Sequence, residues 1–186
     1  MQLFLEVLRY LGIKDGSINE QTKSAILSGI NEVKKVENFK SYYKVFDFVL
    51  DGENIKISTL NIKSKALSLH LKNAKKIILY TATLGQAVDK LLNSYAKTDV
   101  YMQVIIQAVA TAIIENHVDS EQENLKKDYC NYKILSRFSP GYGDLSLEYQ
   151  SQILNLLNAQ KNCGIFANES NVLIPSKSIT AVIGLF

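Results

Sequence analysis

The chain has 186 residues, enough for one domain with its own core, since single domains run to roughly 100–200 residues. Hydrophobic residues make up 47%, the ordinary globular share, which argues against a disordered chain. The longest apolar runs, Val104–Ile114 and Ile77–Leu84, fall short of the ~20 residues a bilayer span needs. A net charge of +3, with lysines scattered as doublets such as Lys34-Lys35 and Lys75-Lys76, reads as solvated surface and gives no argument for nucleic acid.

The first ten residues are apolar, but Glu6 and Arg9 interrupt them and no cleavage site follows. They do not read as a signal peptide, and the expected location is cytoplasmic. Leu3, Val7, Leu8 and Leu11 form one helical stripe, which Gly12 and Asp15-Gly16 break. A second helix is expected from Ser17 or Asn19, burying Ala25, Ile26, Ile30 and Val33. The composition then changes. Tyr42–Leu50 is aromatic and β-branched, Asp51-Gly52 is a turn and Ile55–Ile57 alternates, which predicts a hairpin. Lys63–Leu71 reads as a short helix, and Lys76–Leu84 as a buried strand running through Gly85 into a helix with Val88, Leu91 and Leu92 inward. A long helix from about Asp99 to Lys126 has a middle that is apolar nearly all round, as expected at a domain centre. Beyond Lys133–Leu135 comes a Ser-Pro-Gly-Tyr turn, then an amphipathic helix with Leu147, Ile153, Leu154 and Leu157 inward. Two extended segments, Val172–Pro175 and Ile179–Phe186, follow, with Pro175–Ser178 read as a hairpin connection.

Helices and strands intermix without regular βαβ alternation. The expectation is one α+β domain over residues 1–186: a mixed or antiparallel sheet with a central long helix and flanking helices. Residues 1–40 form its helical part, and 41–186 its sheet and groove.

Several chemistries find no support. No Gly-x-Gly-x-x-Gly follows a strand, and there is neither a Walker loop nor His-Glu-x-x-His. Cys130, Cys163, His70 and His117 stand at no metal-ligand or redox spacing, so no metal site or disulfide is expected. The informative stretch is Arg137–Asp144. Pro140 and Gly141 hold the two central positions of a type II turn. Gly141 and Gly143 leave the backbone open to close approach, Arg137 suits a carboxylate, and Tyr142 offers a ring face and a hydroxyl. Asp144 or Ser146 is placed to cap the following helix. From chemistry alone, a plain Pro-Gly connection explains the stretch equally well.

Arg137-Phe-Ser139-Pro140-Gly141-Tyr142, then Gln150, Leu156-Leu157, Cys163-Gly-Ile165, Glu169-Ser170 and Pro175-Ser-Lys-Ser-Ile-Thr-Ala-Val-Ile-Gly184 resemble the activation domain of cobalamin-dependent methionine synthase, in its free-standing form. The likeness is best over Arg137–Gly184 and thins through Tyr101–Glu115 and Thr81–Gly85. It implies a shallow groove for S-adenosylmethionine, with Arg137 on the methionyl carboxylate and Ser139, Pro140, Gly141 and Tyr142 along the wall. Glu115 would stand beside the ammonium or sulfonium; the other reading is a helix-end glutamate pairing with a lysine. The family's C-terminal tyrosine has no counterpart here and its N-terminal aspartate contact finds no assignable residue, implying weak binding or a site completed by another protein. Its cobalamin motif Asp-x-His-x-x-Gly is missing too, so cobalamin would arrive on a separate methionine synthase chain, with flavodoxin or a similar donor supplying the electron. The chain is then an activation component and not a complete methyltransferase. Two other readings stand beside this: a non-catalytic module docking on a corrinoid protein, and a conventional small-substrate methyltransferase, which lacks nucleotide-binding glycines and a base.

Overall fold

In the computed structural model the described residues are 2–13 and 18–186. Asp15-Gly16 and Ser17, the expected break and one expected helix start, lie outside them. Helix α1 (Gln2–Tyr10) buries Val7 and Leu8 and ends at Gly12 with φ +74°. Helix α2 (Glu20–Val36) starts at Asn19, whose side-chain oxygen accepts from the Thr22 N–H at 2.8 Å, one of the first-turn donors left without a helical partner.

The centre is a three-stranded antiparallel sheet in the order β1 (Lys40–Phe46), β5 (Lys76–Thr83), β8 (Ser178–Leu185). β5 is buried on both faces, so its ladder groups need a strand on each side. This need decides the fate of the aromatic run, which departs from the predicted hairpin. The chain bends at Asp47-Phe48; Lys40–Phe46 pairs with β5, and only β2 (Val49–Asp51) turns back onto β3 (Asn54–Ile57). With β4 (Leu60–Lys63), these make a separate three-stranded meander.

Alternation along β5 divides the core. Ile78, Tyr80, Ala82 and Leu84 face α1, α2, α4 (Gln86–Thr98) and α5 (Val100–Asp128), while Ile77 and Leu79 face the meander with α3 (Lys65–His70), α6 (Gln150–Leu157) and α7 (Ala159–Cys163). The result is a single α+β domain with the long helix α5 at the centre of its helical layer. Asp99 caps α5 by accepting from the Met102 N–H at 3.0 Å. Gly29 lets α2 approach closely: a Cβ there would stand 3.3 Å from methyl carbons of both Ile105 and Ile106.

Three further expectations change. The amphipathic helix after the turn begins as a 3₁₀ turn over Leu147–Tyr149, which leaves Leu147 exposed, and it breaks at left-handed Asn158 before α7. Pro175–Ser178 is not a hairpin connection: β7 (Leu173–Ile174) pairs with β6 (Phe166–Ala167), while β8 joins the central sheet. Lys63 belongs to β4, so α3 is shorter than predicted. Among the described residues, no helix is long and apolar enough to cross a membrane.

Candidate functional site

β8 lies at the edge of its sheet. Its second half is covered by the segment before the turn: the Phe138 N–H donates to the Val182 carbonyl at 2.9 Å, and the Leu135 N–H to the Gly184 carbonyl at 3.2 Å. The first half, Ser178–Thr180, has no such neighbour among the described residues. It floors a groove of ≈ 470 Å³, within the range of small-molecule sites. One wall is α5, through Glu115, Asp119 and Gln122. The other carries Gln150 and Leu173, and Ser136, Arg137, Ser139, Pro140 and Tyr142 close one end.

Arg137 crosses from the turn side to α5. Nη2 donates to Glu115 at 3.0 Å and to Asp119 at 2.9 Å, and Nη1 donates to Gln122 at 2.9 Å. Glu115, Asp119 and Gln122 share one face of the helix at spacings of four and three, so one side chain reaches all three. Gln122 is itself oriented, since its amide donates to the Leu135 carbonyl at 3.1 Å. The Arg137 side chain is 18% exposed, Glu115 34% and Asp119 65%. The outer pair with Asp119 is therefore solvent-screened and contributes at most about 1 kcal/mol, whereas the inner pair is better sheltered. Two carboxylates face one guanidinium, leaving the lining a formal excess of one negative charge.

The turn has the predicted form. Gly141 has φ +93°, and the Tyr142 N–H donates to the Ser139 carbonyl at 3.1 Å. Asp144, however, does not cap the next helix; Ser146 does, accepting from the Glu148 N–H at 3.2 Å. The Asp144 carboxylate instead accepts from the Lys65 and Ala66 N–H groups at 2.8 and 3.0 Å and from the Ser64 hydroxyl, fastening the turn to the start of α3. The Ser64 hydroxyl, then the Ala66 N–H, hold this carboxyl below the ordinary aspartate range. Gly143 makes the close approach possible, because a Cβ there would stand 2.8 Å from the Ala66 Cβ.

At the other end, Asp89 of α4 accepts from the Ser176 N–H at 2.9 Å and from its hydroxyl at 2.6 Å, pinning the chain before β8. Lys177 follows, donating to Thr111 Oγ1 at 2.8 Å; burial pulls its ammonium below the ordinary lysine range, against the pull of Asp89.

Of the residues singled out in the sequence, the groove brings together Arg137, Ser139, Pro140, Tyr142 and Glu115. Gly141 is not on its wall: its N–H donates to the Leu145 carbonyl at 2.8 Å, and its open side faces Leu147. Glu115 pairs with Arg137 rather than with a lysine, and the guanidinium already bonds three side chains. Asp119 and Gln122 were not singled out in the sequence, and Gln150 and Thr180 stood there only within the resembling stretches, with no place in the site. The first two follow Glu115 by four and seven residues, a helical-face signal that was there to be read. Thr180 and Gln150 form a buried pair at 2.7 Å that only the tertiary fold creates.

Sheet, helix and groove together define a class: single α+β domains with an open groove at a sheet edge, walled by a long helix. The particular fold is that of a reactivation domain. A crystal structure of the MetH reactivation domain bound to AdoHcy superposes with a TM-score of 0.67 at 17% identity, covering 91% of this chain and 67% of that one. At this identity the likeness is one of fold. No family model matches the sequence, and no curated protein matches it.

Proposed function

We propose that this protein binds S-adenosylmethionine in the β8 groove and presents its methyl group for reductive methylation of cobalamin carried by a separate methionine synthase. The observation that supports this most directly is the Arg137–Glu115 cluster beside the Ser139–Tyr142 turn, in a fold shared with a reactivation domain that binds AdoHcy. The residues suit the ligand. Arg137 takes the carboxylate, Glu115 faces the ammonium or sulfonium, and Ser139, Pro140 and Tyr142 line the rest. Gly141 acts one step back, by shaping the turn. The bound sulfonium supplies a methyl with a good leaving group, so positioning is what the protein contributes. The electron comes from flavodoxin or a similar donor.

Calorimetry with S-adenosylmethionine tests the reading. Saturable binding is expected, weakened by Arg137→Ala about tenfold to a hundredfold, the range for losing a charge-assisted pair. No heat at millimolar ligand, with or without a partner synthase, sinks it. One observation favours a second reading, a non-catalytic module that docks on a corrinoid protein: the guanidinium is already satisfied from within. Capture by a cobalamin-loaded synthase without ligand binding separates the two.

A further inference from the structure

Asp119 is the most exposed of the three groups that hold Arg137, and its carboxylate meets the same Nη2 as Glu115. It is therefore the partner that a carboxylate arriving from solvent replaces. We infer that Asp119 is a specificity-determining residue, which restricts the carboxylates admitted to Arg137 to those of α-amino acid head groups. The inference rests on the S-adenosylmethionine reading above and adds a residue to it.

The argument is one of charge balance. Before binding, Glu115 and Asp119 share a single guanidinium. A bare carboxylate that displaces Asp119 leaves three anionic groups around that one cation, and no other cationic side chain lines the groove among the described residues. Like charges crowded at a partly desolvated site oppose binding. An α-amino acid brings its ammonium on the carbon next to the carboxylate. As the carboxylate takes Nη2, the ammonium meets the displaced Asp119, and one ion pair is exchanged for two. Gln122, held by the Leu135 carbonyl, keeps Nη1 in place throughout the exchange.

The test uses two ligands that differ by one group: S-adenosylhomocysteine and its desamino analogue, with hydrogen in place of the α-amino group. Both are titrated calorimetrically into the wild-type protein and into Asp119→Asn, with Asp119→Ser as a second variant; the melting temperature of each is measured first. The wild type is expected to prefer the amino compound by about twofold to fivefold, the difference one solvent-screened ion pair makes. Asp119→Asn is expected to close most of that gap, chiefly because the desamino analogue tightens. An unchanged preference in both variants, or equal weakening of both ligands, overturns the role of Asp119 while leaving the groove reading intact. Wild-type protein that binds neither compound nor S-adenosylmethionine overturns the groove reading, and this inference with it.

Discussion

Tyr80, in the middle of β5, is 1% exposed, and among the described residues its hydroxyl has no hydrogen-bond partner of good geometry, although the Ser41 hydroxyl, which donates to Glu121, lies close by. Burial pushes the phenol up from its ordinary range, so it stays protonated at any working pH. An unsatisfied buried hydroxyl costs free energy that a ring hydrogen does not, so Tyr80→Phe is expected to be neutral or stabilising by up to about 1 kcal/mol in urea titration. A loss exceeding that figure would mean that the hydroxyl bonds to something. Asp144 behaves in the opposite sense. Its carboxyl titrates lower in the folded chain than unfolded, so its contribution is complete above the ordinary aspartate value, about 3.9, and fades as pH falls through the lowered one. Asp144→Asn is expected to lower the melting temperature at neutral pH and to converge with the wild type in acid. Parallel pH profiles for the two proteins would contradict this.

At the scale of elements, the α2–α5 contact depends on Gly29. An alanine Cβ there already presses on the Ile105 Cγ2 and Ile106 Cδ1 methyls at 3.3 Å, and a leucine overfills the seam. Gly29→Leu is expected to cost about 1–3 kcal/mol, read from the denaturation midpoint. Elements with a strong apolar pattern were legible in the sequence: α1 and α2 by one buried stripe each, and the strand Lys76–Thr83 and the middle of α5 by their unbroken apolar runs. The turn at Pro140-Gly141 was legible because its residues dictate φ locally. What could not be read was set at long range. Tyr42–Phe46 has the composition of a hairpin arm, and only the empty flank of β5 decides that it pairs there. In the site, Arg137, Glu115 and Tyr142 stand out by chemistry and resemblance. The use of Asp144 to cap a helix 80 residues earlier in the chain is invisible without tertiary structure.

The whole molecule has two apolar cores that share one sheet, and β5 contributes side chains to both. Neither core can open without exposing a face of that strand, so unfolding is expected as a single cooperative transition. Since the chain has 10 tyrosines and no tryptophan, tyrosine fluorescence and far-ultraviolet circular dichroism are the natural probes, and their midpoints are expected to coincide. Ile78→Ala on the helical face and Leu79→Ala on the other are each expected to cost about 2–5 kcal/mol and to shift both probes together. Separate transitions, each moved by only one substitution, would show two independent units instead.

The open half of β8 has a further consequence, for solubility. A strand edge with unpaired backbone groups is a template on which another chain can add a strand. Here the bare stretch is three residues long, with covered strand on one side and Pro175 just upstream on the other. The Glu115 and Asp119 carboxylates stand over it. The arrangement that suits the groove to a small charged ligand thus also makes it a poor seat for a neighbouring strand.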